Sequence, residues 1–161
     1  MKRLALAAIT ILALGVAGCG GSNSPNSPSD ITIFTVQLSA LNEVPPITNA
    51  EATARGTAVI TINKAANTID FNVSLNSFPA GSVVNVAHIH NAPVGQTAGV
   101  LIGTGLTAGS VTLTNGSGTF SFQQVPTSAA NIAAILAAPQ NFYFNVHTAL
   151  NGGGAIRGQL Q

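Results

Sequence analysis

From residue 31 onward the chain alternates apolar and polar positions in short bursts rather than at helical spacing. In NTIDFNVSLNSF (67–78), Ile69, Phe71, Val73 and Leu75 fall on one face and polar residues on the other. In RGTAVITINK (55–64), Ala58, Ile60 and Ile62 alternate with Thr57, Val59 and Thr61, and ITIFTVQLSA (31–40) is rich in β-branched residues. Period-two alternation in such residues predicts half-buried strands. Further strands are predicted over 83–90, 99–104, 109–114, 118–124, 141–148 and 154–160. AANT (65–68) predicts a hairpin turn, and TNGSGT (114–119) carries Asn-Gly, the dipeptide of two-residue hairpins. One segment breaks the pattern. TSAANIAAILAAP (127–139) is Ala-rich, opens on Thr and Ser as cap candidates and stops at Pro139. It predicts a short helix over about 127–137 crossing one end of the fold. The expected class is therefore all-β: an immunoglobulin-like or Greek-key β-sandwich or barrel with one short helix.

Composition sharpens this picture. Charged residues make up only 6% of the 161 residues and the formal net charge is +1. There is no Trp and a single Tyr. Neither a basic patch nor a stacking platform is on offer, so nucleic acid is excluded as a partner.

The N-terminus has the layout of an export signal: MKR, then the apolar run LALAAITILALG, then small residues before Cys19. The apolar run is short for a membrane-spanning helix. VAGC resembles the bacterial lipobox, in which the cysteine becomes the lipidated first residue. As the only cysteine it has no internal disulfide partner, and acylation would anchor the protein. Residues 1–18 are thus expected to be a lipoprotein signal. Residues 19–30, rich in Gly, Ser, Asn and Pro, are expected to be a flexible tether, and 31–161 the folded domain. The expected location is extracytoplasmic and membrane-anchored, on the outer membrane in a cell that has two, since Gly20 rather than Asp follows Cys19.

The chemistry concentrates in three histidines, the only ones in the chain: His88 and His90 in NVAHIHNAPVG, and His147 in FYFNVHTALNGGG. Residues two apart on a strand share a face, so His88 and His90 point together, opposite Ala87 and Ile89. In the late strand Tyr143, Asn145 and His147 oppose Phe142, Phe144 and Val146. If the two strands are neighbours, three imidazoles meet on one patch. Neutral imidazole suits copper and zinc, and three histidines with an open position are a known zinc arrangement. Such binding is expected to weaken below about pH 6, as rings with an ordinary pKa of ~6.5 take up protons. The alternative is that each ring hydrogen-bonds a loop carbonyl or a carboxylate and locks strand ends.

Two isolated charges complete the candidate set. Glu43 in LNEVPP and Arg157 in GGGAIRGQL stand among apolar and small residues. A buried charge persists when paired, so Glu43 and Arg157 are expected to form an ion pair through the two-pronged guanidinium. The alternative places Arg157 beside the histidines, attracting an anion. NGGG (151–154) is expected to form a tight turn using positive φ. No nucleophile triad, paired-carboxylate site or nucleotide fingerprint emerges, and no catalytic residue is assigned.

LSALNEVPP (38–46), AHIHNAPVGQTAGV (87–100) and FYFNVHTALNGGGAIRGQL (142–160) together resemble the CHRD domain, named from chordin and common in bacterial secreted proteins. The sequence departs from the usual last motif at Asn151, Gly152 and Ala155. The resemblance implies an immunoglobulin-like sandwich and no defined activity. A weaker similarity, a His-x-His strand followed by a late His, a Gly-rich turn and an Arg, is to copper-zinc superoxide dismutase. With three histidines in all and one cysteine, the bridging imidazole and the disulfide of that enzyme are missing. The expected function is a lipid-anchored envelope module that binds or supports another envelope protein or a glycan. The alternative is a copper- or zinc-binding module using His88, His90 and His147, with superoxide dismutase-like redox activity as a remote third option.

Overall fold

The computed structural model describes residues 28–161. The expected signal, Cys19 and the tether up to residue 27 lie outside the described residues. The last three residues assigned to the tether are ordered: Pro28–Asp30 form a 3₁₀ turn. The Asp30 carbonyl accepts from the Lys64 backbone, and its carboxylate lies 3.4 Å from Lys64 Nζ.

Nine strands and one α-helix follow: β1 (Ile31–Ser39), β2 (Arg55–Asn63), β3 (Thr68–Asn76), β4 (Val83–Asn91), β5 (Val100–Gly103), β6 (Val111–Thr112), β7 (Gly118–Pro126), α1 (Ala129–Ala137), β8 (Phe142–Thr148) and β9 (Ile156–Gln159). Each expected strand is present. The helix is shorter than its signal because Ser128 is the N-cap, its hydroxyl accepting from the Asn131 N–H at 3.0 Å. Asn115 and Gly116 both take positive φ, 50° and 75°, as a primed hairpin turn requires.

The strands form one antiparallel sheet in the order β5-β4-β8-β9-β1-β2-β3-β7, with β6 also pairing β4. Its two halves join at one paired position, Ser39 opposite Arg157. The fold is thus all-β, a single curled antiparallel sheet with one short helix, in keeping with the sandwich-or-barrel expectation and nearer its barrel form. The curl brings the apolar faces together. Phe71 on β3 stacks on Phe144 on β8 with centroids 5.6 Å apart, among Val36, Leu38, Ile60, Val73 and Ile156.

Two irregularities matter. The β4–β8 register shifts between Val84 and Val86. Val84, Ala87 and Ile89 are all core residues, which strict alternation forbids. The extra residue switches parity, so that His88 and His90 leave the core side. The second is the connection from β1 to β2. It carries a 3₁₀ turn at Ala40–Asn42 and a cis Val44–Pro45 bond, and it brings Glu43 and Glu51 to buried positions.

Since Phe144 is fully buried where the two halves of the sheet meet, Phe144→Ala is expected to lower unfolding stability by about 3–5 kcal/mol, read from the denaturant midpoint at unchanged slope. A loss below about 1 kcal/mol would show that the two apolar faces do not share one core.

Candidate metal centre

β4 and β8 are hydrogen-bonded neighbours. His88 pairs with Asn145, and His90 with Tyr143. On the far side of β8, Asn145 pairs with Arg157 of β9. All these side chains lie on the sheet face opposite the core. On an open sheet that face would be wet, yet every residue of β8 is buried. The loop between β4 and β5, the 149–155 turn and the segment around Asn42 each contribute backbone carbonyls to this face.

The structure brings the three imidazoles together. Their candidate ligand nitrogens all lie within 4.8 Å of one another. Ring centroids are 5.5 Å apart for His88–His90, 5.0 Å for His88–His147 and 6.4 Å for His90–His147. Donors sharing one tetrahedral ion at bonds of ~2.0–2.1 Å stand about 3.3 Å apart, so a pair at the 4.8 Å limit would close by about 1.5 Å.

Two of the rings are oriented by the backbone. His90 Nδ1 lies 2.9 Å from the Ala98 carbonyl, and His147 Nδ1 lies 2.9 Å from the Gly152 carbonyl. A carbonyl only accepts, so both Nδ1 atoms carry protons. In the neutral ring this leaves Nε2 as a bare lone pair. Metal-ligating histidines are commonly oriented in this way. His90 is further held by stacking on Tyr143 at 4.7 Å and 10°, and the Arg157 guanidinium lies over the same phenol at 4.5 Å. His88, half-buried, differs: its Nδ1 is buried without a hydrogen-bond partner.

Burial sets the protonation. Desolvation, reinforced by the neighbouring His147 and His90, lowers His88 to about 4. His147 is lowered by the same desolvation, with the Gly152 carbonyl working against it. His88 therefore stays neutral well below pH 6, where an unperturbed ring would already have been lost as a ligand.

Glu43 and Arg157 also meet, with Oε2 and Nε 4.0 Å apart and both side chains buried. The contact is looser than the expected two-bond fork. Arg157 spends its donors on carbonyls instead: Nε to Asn42 at 2.5 Å and Nη1 to Gln96 at 2.8 Å. The Asn42 amide returns a bond to the Arg157 carbonyl at 3.0 Å. Burial consequently pushes Glu43 up to about 7, with Arg157 and the Asn145 amide offsetting only part of the cost. Glu43 Oε1 is buried without a hydrogen-bond partner. Gly154, at φ 132°, makes room for it, because a Cβ there would sit 2.7 Å from that oxygen.

Two further residues of the site have roles the sequence does not announce: Glu51, and Asn145, which alternation places only on the histidine face. Glu51 is buried and accepts from Thr148 Oγ1 at 2.7 Å and from Asn151 Nδ2 at 2.5 Å. It thereby pins the turn whose Gly152 carbonyl orients His147. Asn145 is 2% exposed, and its Oδ1 lies 3.0 Å from His90 Nε2 and 3.1 Å from His147 Nε2. A cleft of about 610 Å³ is lined by Glu43 and Arg157 together with Leu41, Val44, Val94 and Gln159; no histidine lines it.

A family model, that of the CHRD domain, matches residues 34–160. No curated protein and no solved structure matches the chain.

The two perturbed groups tilt stability in opposite directions with pH. His88 stays neutral in the folded metal-free protein down to about pH 4, whereas in the unfolded chain it charges near 6.5. Its contribution is present above 6.5 and lost as pH falls toward 4. Glu43 keeps its proton in the folded protein up to about 7. Its contribution is full below its unfolded pKa, near 4.5, and lost as pH rises through 7. Comparing unfolding free energies at pH 5 and pH 7, His88→Gln is expected to make the change on raising the pH more negative than in the wild type. Glu43→Gln should make it more positive. Identical pH profiles in all three proteins would refute this account of the two groups.

Proposed function

The chain belongs to the CHRD-domain family, and on that premise we propose that it is an extracytoplasmic binding module whose ligand is a copper or zinc ion held by His88, His90 and His147. The observation that carries this reading is the meeting of all the histidines of a 161-residue chain within 4.8 Å, in a patch where two Nδ1–H groups are already used by backbone carbonyls. Hydrogen bonding to loops explains the orientation of two rings. It does not explain why His88 keeps a buried nitrogen without a partner. A borderline cation satisfies all three at once. Half-buried His88 leaves an approach from solvent. Redox turnover is no part of the proposal.

The leader supports a place for the module. Lys2 and Arg3, the apolar run and VAGC before Cys19 favour lipidation of Cys19 and tethering of the domain to a membrane. The low charge of the folded part and its Thr-, Asn- and Ser-rich surface suit contact with an envelope protein or a glycan.

Untagged protein is expected to bind one Zn²⁺ or Cu²⁺ per chain and to gain about 2.7 kcal/mol of stability at a hundredfold excess of free metal over Kd. His88→Ala, His90→Ala and His147→Ala should each weaken binding by more than the ~10–100-fold typical of outer partners, measured by competition with a chromophoric chelator. Stoichiometric binding that survives in the triple variant would sink the proposal. Separately, Cys19→Ser is expected to move the expressed protein from the membrane fraction to the soluble one. Unchanged partitioning would refute the anchor.

A further inference from the structure

Three acceptors face one another at the heart of this site with no proton between them. His90 and His147 each use Nδ1–H on a carbonyl, so in the neutral ring, the form that binds a metal, their Nε2 atoms are lone pairs. Both lone pairs point at Asn145 Oδ1, 3.0 and 3.1 Å away, and that oxygen is an acceptor too. Asn145 is 2% exposed, so water is not at hand to relieve the conflict. Acceptors gathered in a buried place cost free energy unless a donor or a cation stands among them.

We propose that Asn145 Oδ1 is the fourth donor of the metal centre, completing a three-nitrogen, one-oxygen set with His88, His90 and His147. The inference rests on the metal-binding reading above and names a ligand that reading lacks. The distances fit the role. Donor atoms at ~2.0–2.1 Å from a tetrahedral ion stand about 3.3 Å from one another, and Asn145 Oδ1 is already near that spacing from two of the three imidazoles. The strand supplies the position: Asn145 is two residues from His147 on the same face of β8, and it pairs directly with His88 across to β4. The far side of its amide is engaged as well, since the Asn145 side chain also bonds the Glu43 carboxyl. An Asn145 amide N–H donating there directs Oδ1 toward the imidazoles. The amide turned the other way would donate its two N–H groups to the same two lone pairs and act as a structural clamp without any metal role.

Asn145→Asp, Asn145→Ala and the wild type distinguish these arrangements. A donor oxygen survives in Asp and is lost in Ala. Asp is therefore expected to bind Zn²⁺ as tightly as the wild type or more tightly, and Ala about tenfold or more weakly. With Cu²⁺, electron paramagnetic resonance of the wild type should report mixed nitrogen and oxygen ligation, and its copper hyperfine splitting should change in Asn145→Ala. The clamp reverses the Ala result, because removing N–H groups that occupy both lone pairs would leave Zn²⁺ binding as tight as in the wild type or tighter. Equal affinity and identical copper spectra in wild type and Asn145→Ala would overturn the donor role while leaving the three-histidine site standing. Should Asn145→Ala not fold, Asn145→Leu, which fills the same space without an oxygen, takes its place: weakened binding supports the donor, and unchanged binding overturns it. Wild-type protein that binds no metal would bring down both readings.

Discussion

β8 is buried on both faces, and only one of those faces is apolar. Phe142, Phe144 and Val146 meet the core, while Tyr143, Asn145 and His147 are covered by loops. A polar side chain taken out of water needs a partner or costs several kcal/mol. The loops present backbone carbonyls: Ala98 to His90, Gly152 to His147, and Gln96 and Asn42 to Arg157. Carbonyls satisfy donors only. The side chains beneath must therefore turn their N–H groups outward to the loops, which leaves their acceptors facing one another. The gathering of lone pairs follows from what covers the strand.

Charge is scarce in this chain, and the structure buries much of what remains. Glu43, Glu51 and Arg157 are all buried around this face. Each holds backbone or side chains that in turn hold the rings. Glu51 ties Thr148 and Asn151 and so fixes the turn that offers Gly152. Arg157 binds two loops and stacks on Tyr143, which stacks on His90. Glu43 sits with a carboxyl that burial keeps protonated up to about pH 7, beside a guanidinium too distant to compensate fully. A neutral acid is easier to keep in such a place than an ionised one.

Strands, helix and hairpin turns were legible because they are local. Alternation of Ile69, Phe71, Val73 and Leu75 fixes a face without knowledge of any neighbour, and Asn115-Gly116 names its own turn. The pairing of His88 with His90 was legible for the same reason. That β4 lies beside β8 is a long-range fact, and no pattern within either segment encodes it. The register shift near Val84 and Val86 is equally silent, although it decides which side of the sheet His88 and His90 occupy. Arg157 was expected to grip a carboxylate because isolated opposite charges suggest a pair. Sequence carries no trace of the carbonyls at Asn42 and Gln96 that compete for it. Glu51 is silent because a polar residue in a polar stretch has the same pattern whether a loop covers it or solvent does; Asn145 is placed on the histidine face by alternation, but nothing local tells that its side chain reaches two imidazoles.

The three rings are unequal, and the inequality bears on how an ion would enter. His90 is fixed by a carbonyl and a stacked phenol, and His147 by a carbonyl on a pinned turn. Moving either one breaks a buried hydrogen bond. His88 has no such anchor at Nδ1, is half-buried, and faces Gly103 on the edge strand β5, where even a Cβ would stand 3.8 Å from the ring. Glycine opposite it leaves room to turn. Of the three rings His88 is the one free to adjust to a shared ion, while the widest centroid spacing, 6.4 Å, is between the two anchored rings. Preset donors lower the ordering cost of binding, and a movable third lets the ion shed its water in steps. A cluster serving only to lock strand ends would have had reason to anchor all three.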